Sequence, residues 1–282
     1  MTRDFTLARY ENLLKALIEC GYSFRTYRES LTETSGKFII LRHDVDKKPG
    51  NSLKTAEIEK RLGIKGSYYF RAVRKEMEAS FVTAISNMGH EIGYHYEDLS
   101  SAHGDYERAF ISFSDNLRFF REYYPVTTIC MHGDPFSVHD NRMLWSKYSY
   151  RSLGIGGEPY FDIDVTELLY LSDTGRRWDN KASLRDKAGL RNGVSRTPDW
   201  NNWQSVPGEK SLVRIGKGEG ALHENYSFRT TRDVVKAIYS GKTPERIMIN
   251  IHPQRWENSY PAWLKEAIIQ NLKNIIKRFM SR

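Results

Sequence analysis

Short apolar runs that break off into polar residues alternate along this chain with stretches of helical periodicity. That alternation restricts the fold more than any other feature, because strand–helix repetition builds a mostly parallel sheet or barrel with helices packed on it. Residues 10–20 form an amphipathic helix, with Leu13, Leu14, Leu17 and Ile18 on one face and Gly21 as its stop. Phe38–Leu41 reads as a buried strand running into a site. Helices follow at 51–62, closed by Gly63, at 81–88 and at 106–124; strands are expected at 66–70, 91–94 and 127–131. Further short strands are expected at 161–164, 168–171 and 246–251. A terminal helix spans 262–279, with Leu264, Ala267, Ile268, Leu272, Ile275 and Ile276 at helical spacing.

The 282 residues suit about two average domains or one large α/β domain. We expect a single domain over 1–282, with the polar, Trp- and Gly-bearing stretch 176–220 as a loop-rich segment that could be an insertion. No run approaches the ~18 apolar residues of a membrane span. Two cysteines, Cys20 and Cys130, make no disulfide framework and fit a reducing compartment. Asp4 and Glu11 interrupt the start where a secretion signal needs an apolar core, so a cytoplasmic location is expected. The net charge of +8 invites a nucleic-acid reading, but the basic residues are scattered. Their densest cluster, 273–282, ends the chain, where a basic helical tail more often completes a helix dipole or solvates a face. We expect no nucleic-acid partner; a positive surface equally attracts an acidic small substrate or glycan.

In parallel α/β folds, functional residues gather at the C-terminal ends of strands. The first strand runs into Arg42-His43-Asp44-Val45-Asp46, which puts Asp44 and Asp46 on one face if the strand persists. Two such carboxylates repel each other unless a metal or a shared proton lies between them. The next candidates are His95, then His132 after Cys130-Met131, then His252 after Asn250-Ile251, each at an expected strand end. Any one of these histidines alone is more often a structural hydrogen-bonder; their convergence is what carries weight. Asp46, His95 and one further His would make a mixed oxygen and nitrogen site open to water, as catalytic zinc needs. Asp44 beside it could serve as general base, and His252 could donate a proton to a leaving amine.

Together, Arg42-His43-Asp44-Val45-Asp46, Gly89-His90-Glu91-Ile92-Gly93-Tyr94-His95, His132-Gly133-Asp134-Pro135 and Asn250-Ile251-His252-Pro253 resemble the motifs of the polysaccharide deacetylase superfamily, carbohydrate esterase family 4. The likeness runs from about residue 38 to residue 256 and is greatest to the branch from bacterial surface-polysaccharide clusters. It implies a distorted (β/α) barrel, a divalent metal and removal of N-acetyl groups from amino sugars. It also implies Asp44 as base, Asp46 and His95 as metal ligands, and His252 as acid. The family's second metal His falls four residues after the first; here that position is Leu99, which cannot bind metal. His132, Glu97 or Asp98 could supply the missing ligand, and His132 is favoured because it ends a neighbouring strand. Pro135-Phe136 fits the family's groove wall, with His132 near its Arg position. Asp173, Arg177 and Trp178 resemble the set that orients the base, although a half-buried aromatic and a surface charge would explain the last two. Arg42 and Arg71 could contact an anionic substrate, but a charged strand flank is the simpler reading of both.

The leading expectation is therefore a metal-dependent N-deacetylase acting on an amino sugar or glycan in polysaccharide or O-antigen (lipopolysaccharide) biosynthesis. Zinc is the first choice of cofactor, with cobalt, nickel, manganese or iron compatible with the same ligands. The competing class is a catalytically silent member that binds glycan or scaffolds a biosynthetic complex, which the Leu99 departure keeps open. A hydrolase of another small amide is the third.

Overall fold

The computed structural model describes residues 3–73, 75–133, 137–163, 168–178 and 226–280. Pro135-Phe136 and most of the 176–220 stretch lie outside them. The spine of the fold is β2 (Phe38–Val45), whose eight residues are all buried. It continues past the apolar run because its polar side chains find partners on both faces. Arg42 pairs with Asp44 on one face, and His43 bonds Tyr10 and Glu59 on the other.

Around it stand β1 (Ser23–Arg25), β3 (Ser67–Phe70), β4 (Glu91–Tyr96), β5 (Ile129–Met131), β6 (Leu169–Ser172) and β7 (Arg246–Ile251). All pairings are parallel, in the order β5-β4-β3-β2-β7-β6. β1 pairs with Phe38–Ile40 and β3 with Arg42–Val45, so these two strands share one edge of β2 end to end while β7 takes the other. The sheet is curled. Phe38 and Ile40 of β2, Tyr69 of β3, Cys130 of β5 and Met248 of β7 form one buried cluster with Leu168, and Tyr170 of β6 packs against it. Strands at opposite ends of the sheet thus meet across a shared interior. This is a distorted (β/α) barrel, and among the described residues no ladder joins β5 to β6.

That interior is filled from within. Asp44, Tyr69 and Gly93 are level across β2, β3 and β4. A Cβ at Gly93 would lie 2.3 Å from the Tyr69 ring, so only glycine leaves room for that ring. Below, Glu91 accepts from Ser67 and Thr128.

Helices surround the sheet: α1 (Leu7–Glu19), α2 (Tyr27–Ser30), α3 (Pro49–Arg61), α4 (Lys75–Ser86), α5 (Asp98–Ser101), α6 (Tyr106–Arg121), α7 (Pro159–Asp162), α8 (Thr231–Tyr239) and α9 (Tyr260–Met280). Thr6 caps α1 and Asp105 caps α6 with side-chain oxygens. The expected strand at 161–164 is overturned by α7. Pro159 suits the first helical turn, and the Glu158 carboxylate accepts the Tyr160 N–H at 2.5 Å. α8, opened by a Thr230–Asp233 capping box, and the three-residue β1 had not been expected. No described helix is long and apolar enough to cross a membrane.

Candidate functional site

Period-two alternation in the strands puts Arg42, Asp44 and Asp46, then His95, then Cys130 and His132, then Asn250 and His252, on the inner face at the C-terminal end. Three of them converge. His132 Nδ1 and His95 Nε2 lie 3.1 and 3.4 Å from Asp46 Oδ1 and 3.1 Å from each other. Among the described residues, Asp46 Oδ1 is a buried oxygen with no hydrogen-bond donor. His95 Nδ1 faces the Cys130 carbonyl at 2.9 Å; a carbonyl can only accept, so Nδ1 carries the proton and Nε2 turns a lone pair inward. Bonds of about 2.1 Å in a tetrahedral site place donors about 3.4 Å apart. Two imidazoles and one carboxylate oxygen without a donor fit a divalent cation at this spacing.

The other two candidates for the third ligand stand elsewhere. Asp98 is buried and accepts from Tyr94, Ser112 and Asn116, facing away from the centre. Glu97 is held by Arg71 Nη2 at 2.5 Å, with its other oxygen 3.8 Å from His132 Nε2. Leu99 is buried in the outer core. Cys130 also approaches Asp44 and His95, but burial pushes its thiol well up, leaving it a protonated core residue.

Asp44 lies one step deeper than Asp46. Burial alone would raise its pKa; Arg42 first, then His95 and His252, outweigh that and lower it to about 2. Arg42 Nη2 and Asn250 Nδ2 both donate to Asp44 Oδ2, at 2.8 and 2.9 Å, while Oδ1 is buried with no donor among the described residues. The group is therefore an ionised carboxylate with one oxygen bare, a fair description of a general base. Asp46 is likewise held well below the usual range, against its burial, by His132, His95 and His252.

On the far side His252 Nε2 faces Asp46 Oδ2 at 3.8 Å, and its Nδ1 is bonded to Asp173. The cation and indole on Asp173 are Arg255 and Trp256, which sequence reasoning missed although both follow His252 within four residues. Trp178 donates instead to Thr231, and Arg177 is half-buried. Asn250, Tyr170 and Gln254 were also missed as site residues. Tyr170 takes a bond from Asn250 at 3.1 Å, and Gln254 donates to Asp46 Oδ2 at 3.3 Å.

No family model matches the chain, and no curated protein matches it. Several solved structures overlap it loosely. BA3943, a carbohydrate esterase family 4 pseudoenzyme from Bacillus anthracis, is 12% identical with a TM-score of 0.43, over 86% of this chain and 63% of that one. The chain thus spans less than two thirds of that protein's length. The peptidoglycan deacetylase PdaC from Bacillus subtilis is 12% identical with a TM-score of 0.41, covering 86% and 87%. A family 4 carbohydrate esterase from Streptomyces lividans, in complex with acetate, is 11% identical with a TM-score of 0.40, covering 86% and 89%. Overlaps this loose transfer no chemistry; the side chains of this molecule have to supply it.

Proposed function

We propose that this chain is a metal-dependent hydrolase that removes an N-acetyl group from an amino sugar. The observation that carries the reading is the orphaned Asp46 Oδ1 facing two imidazole nitrogens, between a bare carboxylate and an oriented histidine. Asp46, His95 and His132 would hold the ion, with zinc the first choice for this donor set. When bound, it supplies Lewis-acid polarisation of a carbonyl and a water acidified toward neutral pH.

The chain's own groups do the rest. Asp44 takes a proton on Oδ1, its other oxygen being occupied by Arg42 and Asn250. His252 offers a proton from Nε2 to the departing amine, because Asp173 holds its Nδ1. A base on one side and an acid on the other suit cleavage of an amide, whose nitrogen leaves only when protonated. We place the substrate in bacterial surface-polysaccharide synthesis, in the cytoplasm. This placement follows the motif resemblance and the two free cysteines, Cys20 and Cys130, which fit a reducing compartment.

The experiment is metal analysis of the purified protein together with acetate release from N-acetylhexosamine glycans. A near-stoichiometric divalent ion with metal-dependent release supports the reading. Protein that takes up no ion and releases no acetate is the silent glycan-binding or scaffolding form.

A further inference from the structure

Helix α9 is docked with its polar side inward. Trp263 Nε1 donates to the Asp4 carbonyl at 2.6 Å, Asn274 Nδ2 to the Gly175 carbonyl at 3.0 Å, and Lys48 Nζ to Glu266 at 3.3 Å. Gln270, on the same side, is buried. The other side carries Leu264, Ile268, Leu272, Ile275 and Ile276, which fall on one stripe at helical spacing and are 37–55% exposed. A helix of a globular protein ordinarily turns such a stripe to its own core. Five large aliphatics left side by side on the outside mark an interaction surface.

The charges around the stripe identify what it meets. Lys265 and Lys273 are exposed beside it, and the sequence runs on through Lys277-Arg278 to Arg282. Glu266 is the one acid in α9, and Lys48 engages it. A second copy of the chain would press like charges together. Residues 179–225 of this chain carry more Lys and Arg than Asp and Glu, so they offer no complement either. An anionic bilayer supplies both an apolar layer and negative charge.

We propose that α9 lies flat on an anionic lipid surface, its aliphatic stripe at the headgroup–acyl boundary and its lysines among the headgroups. The anchors are informative about orientation. Lys48 follows β2, Gly175 follows β6, and α9 packs on the turn Pro253–Arg255 after β7. These are the strand ends that carry Asp46, Asp173 and His252, so a chain seated this way holds the mouth of the site beside the headgroups. The lipid contact does not depend on the reaction proposed above.

The test is co-sedimentation of the full chain with phosphatidylcholine vesicles and with vesicles of equimolar phosphatidylcholine and phosphatidylglycerol. The chain is expected to bind the mixed vesicles, to release them as salt rises, and to leave pure phosphatidylcholine largely unbound. Ile268→Ser with Leu272→Ser lowers partitioning roughly tenfold or more, and Lys265→Glu with Lys273→Glu does the same, with the melting temperature of the latter unchanged. Should the serine variant not fold, the charge variant alone decides. No binding to the mixed vesicles overturns the proposal, as does undiminished binding by the charge variant. A dimer that dissociates on the serine substitutions also overturns it, since the second copy then covers the stripe.

Discussion

Asp173 grips His252 twice: Oδ1 meets ring Nδ1 at 2.6 Å, and Oδ2 accepts the His252 backbone N–H at 2.9 Å. Arg255 Nη1 and Trp256 Nε1 donate to the same carboxylate at 2.5 and 2.8 Å, and Arg255 first, then His252, hold its pKa below the usual range despite its burial. Imidazole and carboxylate therefore act as a unit. Asp173→Asn is expected to keep the metal and to lower amide turnover about 100-fold, within the range of general acid catalysis. An activated ester, which needs little protonation of its leaving group, should be spared. Metal analysis and the two rates are the measurements; lost metal or an unchanged amide rate would sink the assignment.

The centre itself separates by substitution. Asp46→Ala, His95→Ala and His132→Ala each lose metal and activity together, because each removes one of the three converging donors. Asp44→Asn keeps the metal and loses about 10²–10⁴-fold in turnover, since an amide takes up no proton. Full metal occupancy in the His132 variant would shift the third ligand to Glu97, whose carboxylate lies 3.8 Å from His132 Nε2.

Arg42→Met exposes the cost of the inner ion pair. Both partners are buried, so removing the guanidinium strands the Asp44 carboxylate and costs about 3–5 kcal/mol of stability. The acid limb of the rate profile moves as well. Arg42 is the first of the charges that lower the Asp44 pKa to about 2 against its burial. Without it the carboxyl holds its proton to higher pH, and activity fails earlier on acidification. Denaturant unfolding and a pH–rate profile check the two halves; an unmoved acid limb excludes Asp44 as the base.

Glu158 links stability to alkaline pH. Burial raises its carboxyl to about 8, although the Met131 and Tyr160 backbone N–H groups pull the other way. The folded state then keeps a proton that the unfolded chain releases near pH 4.3. Stability from this group is greatest below that pH and falls as pH rises, by at most roughly 1.4 kcal/mol per unit, until the folded pKa is passed. Glu158→Gln removes the slope between about pH 5 and 8, at some cost in absolute stability. Melting temperatures across that range decide it; a wild-type value that rises with pH refutes the sign.

The strand ends were readable because an apolar run that stops at a ligand-type residue is a local signal. Asp46, His95, His132 and His252 all carry it, and the period-two rule then puts Asp44 on the same face as Asp46. Arg42 shares that face by the same rule, yet a charge beside an apolar run reads as a flank until its partner is seen. Arg255 and Trp256 reach Asp173 through a turn after β7, and no periodicity encodes such a meeting. The strand expected at 161–164 failed because its two apolar positions, Phe161 and Ile163, are too few to set a period, and Pro159 with the Glu158 cap decided for a helical turn.

Beneath Asp44 the barrel is stoppered by Phe38, Ile40 and Met248, with Tyr69 level beside it and Tyr27 closing the cluster. The vessel is blind at its lower end among the described residues. A small group carried down to Asp44 therefore meets a closed floor, and the depth it can reach is set by the Tyr69 ring.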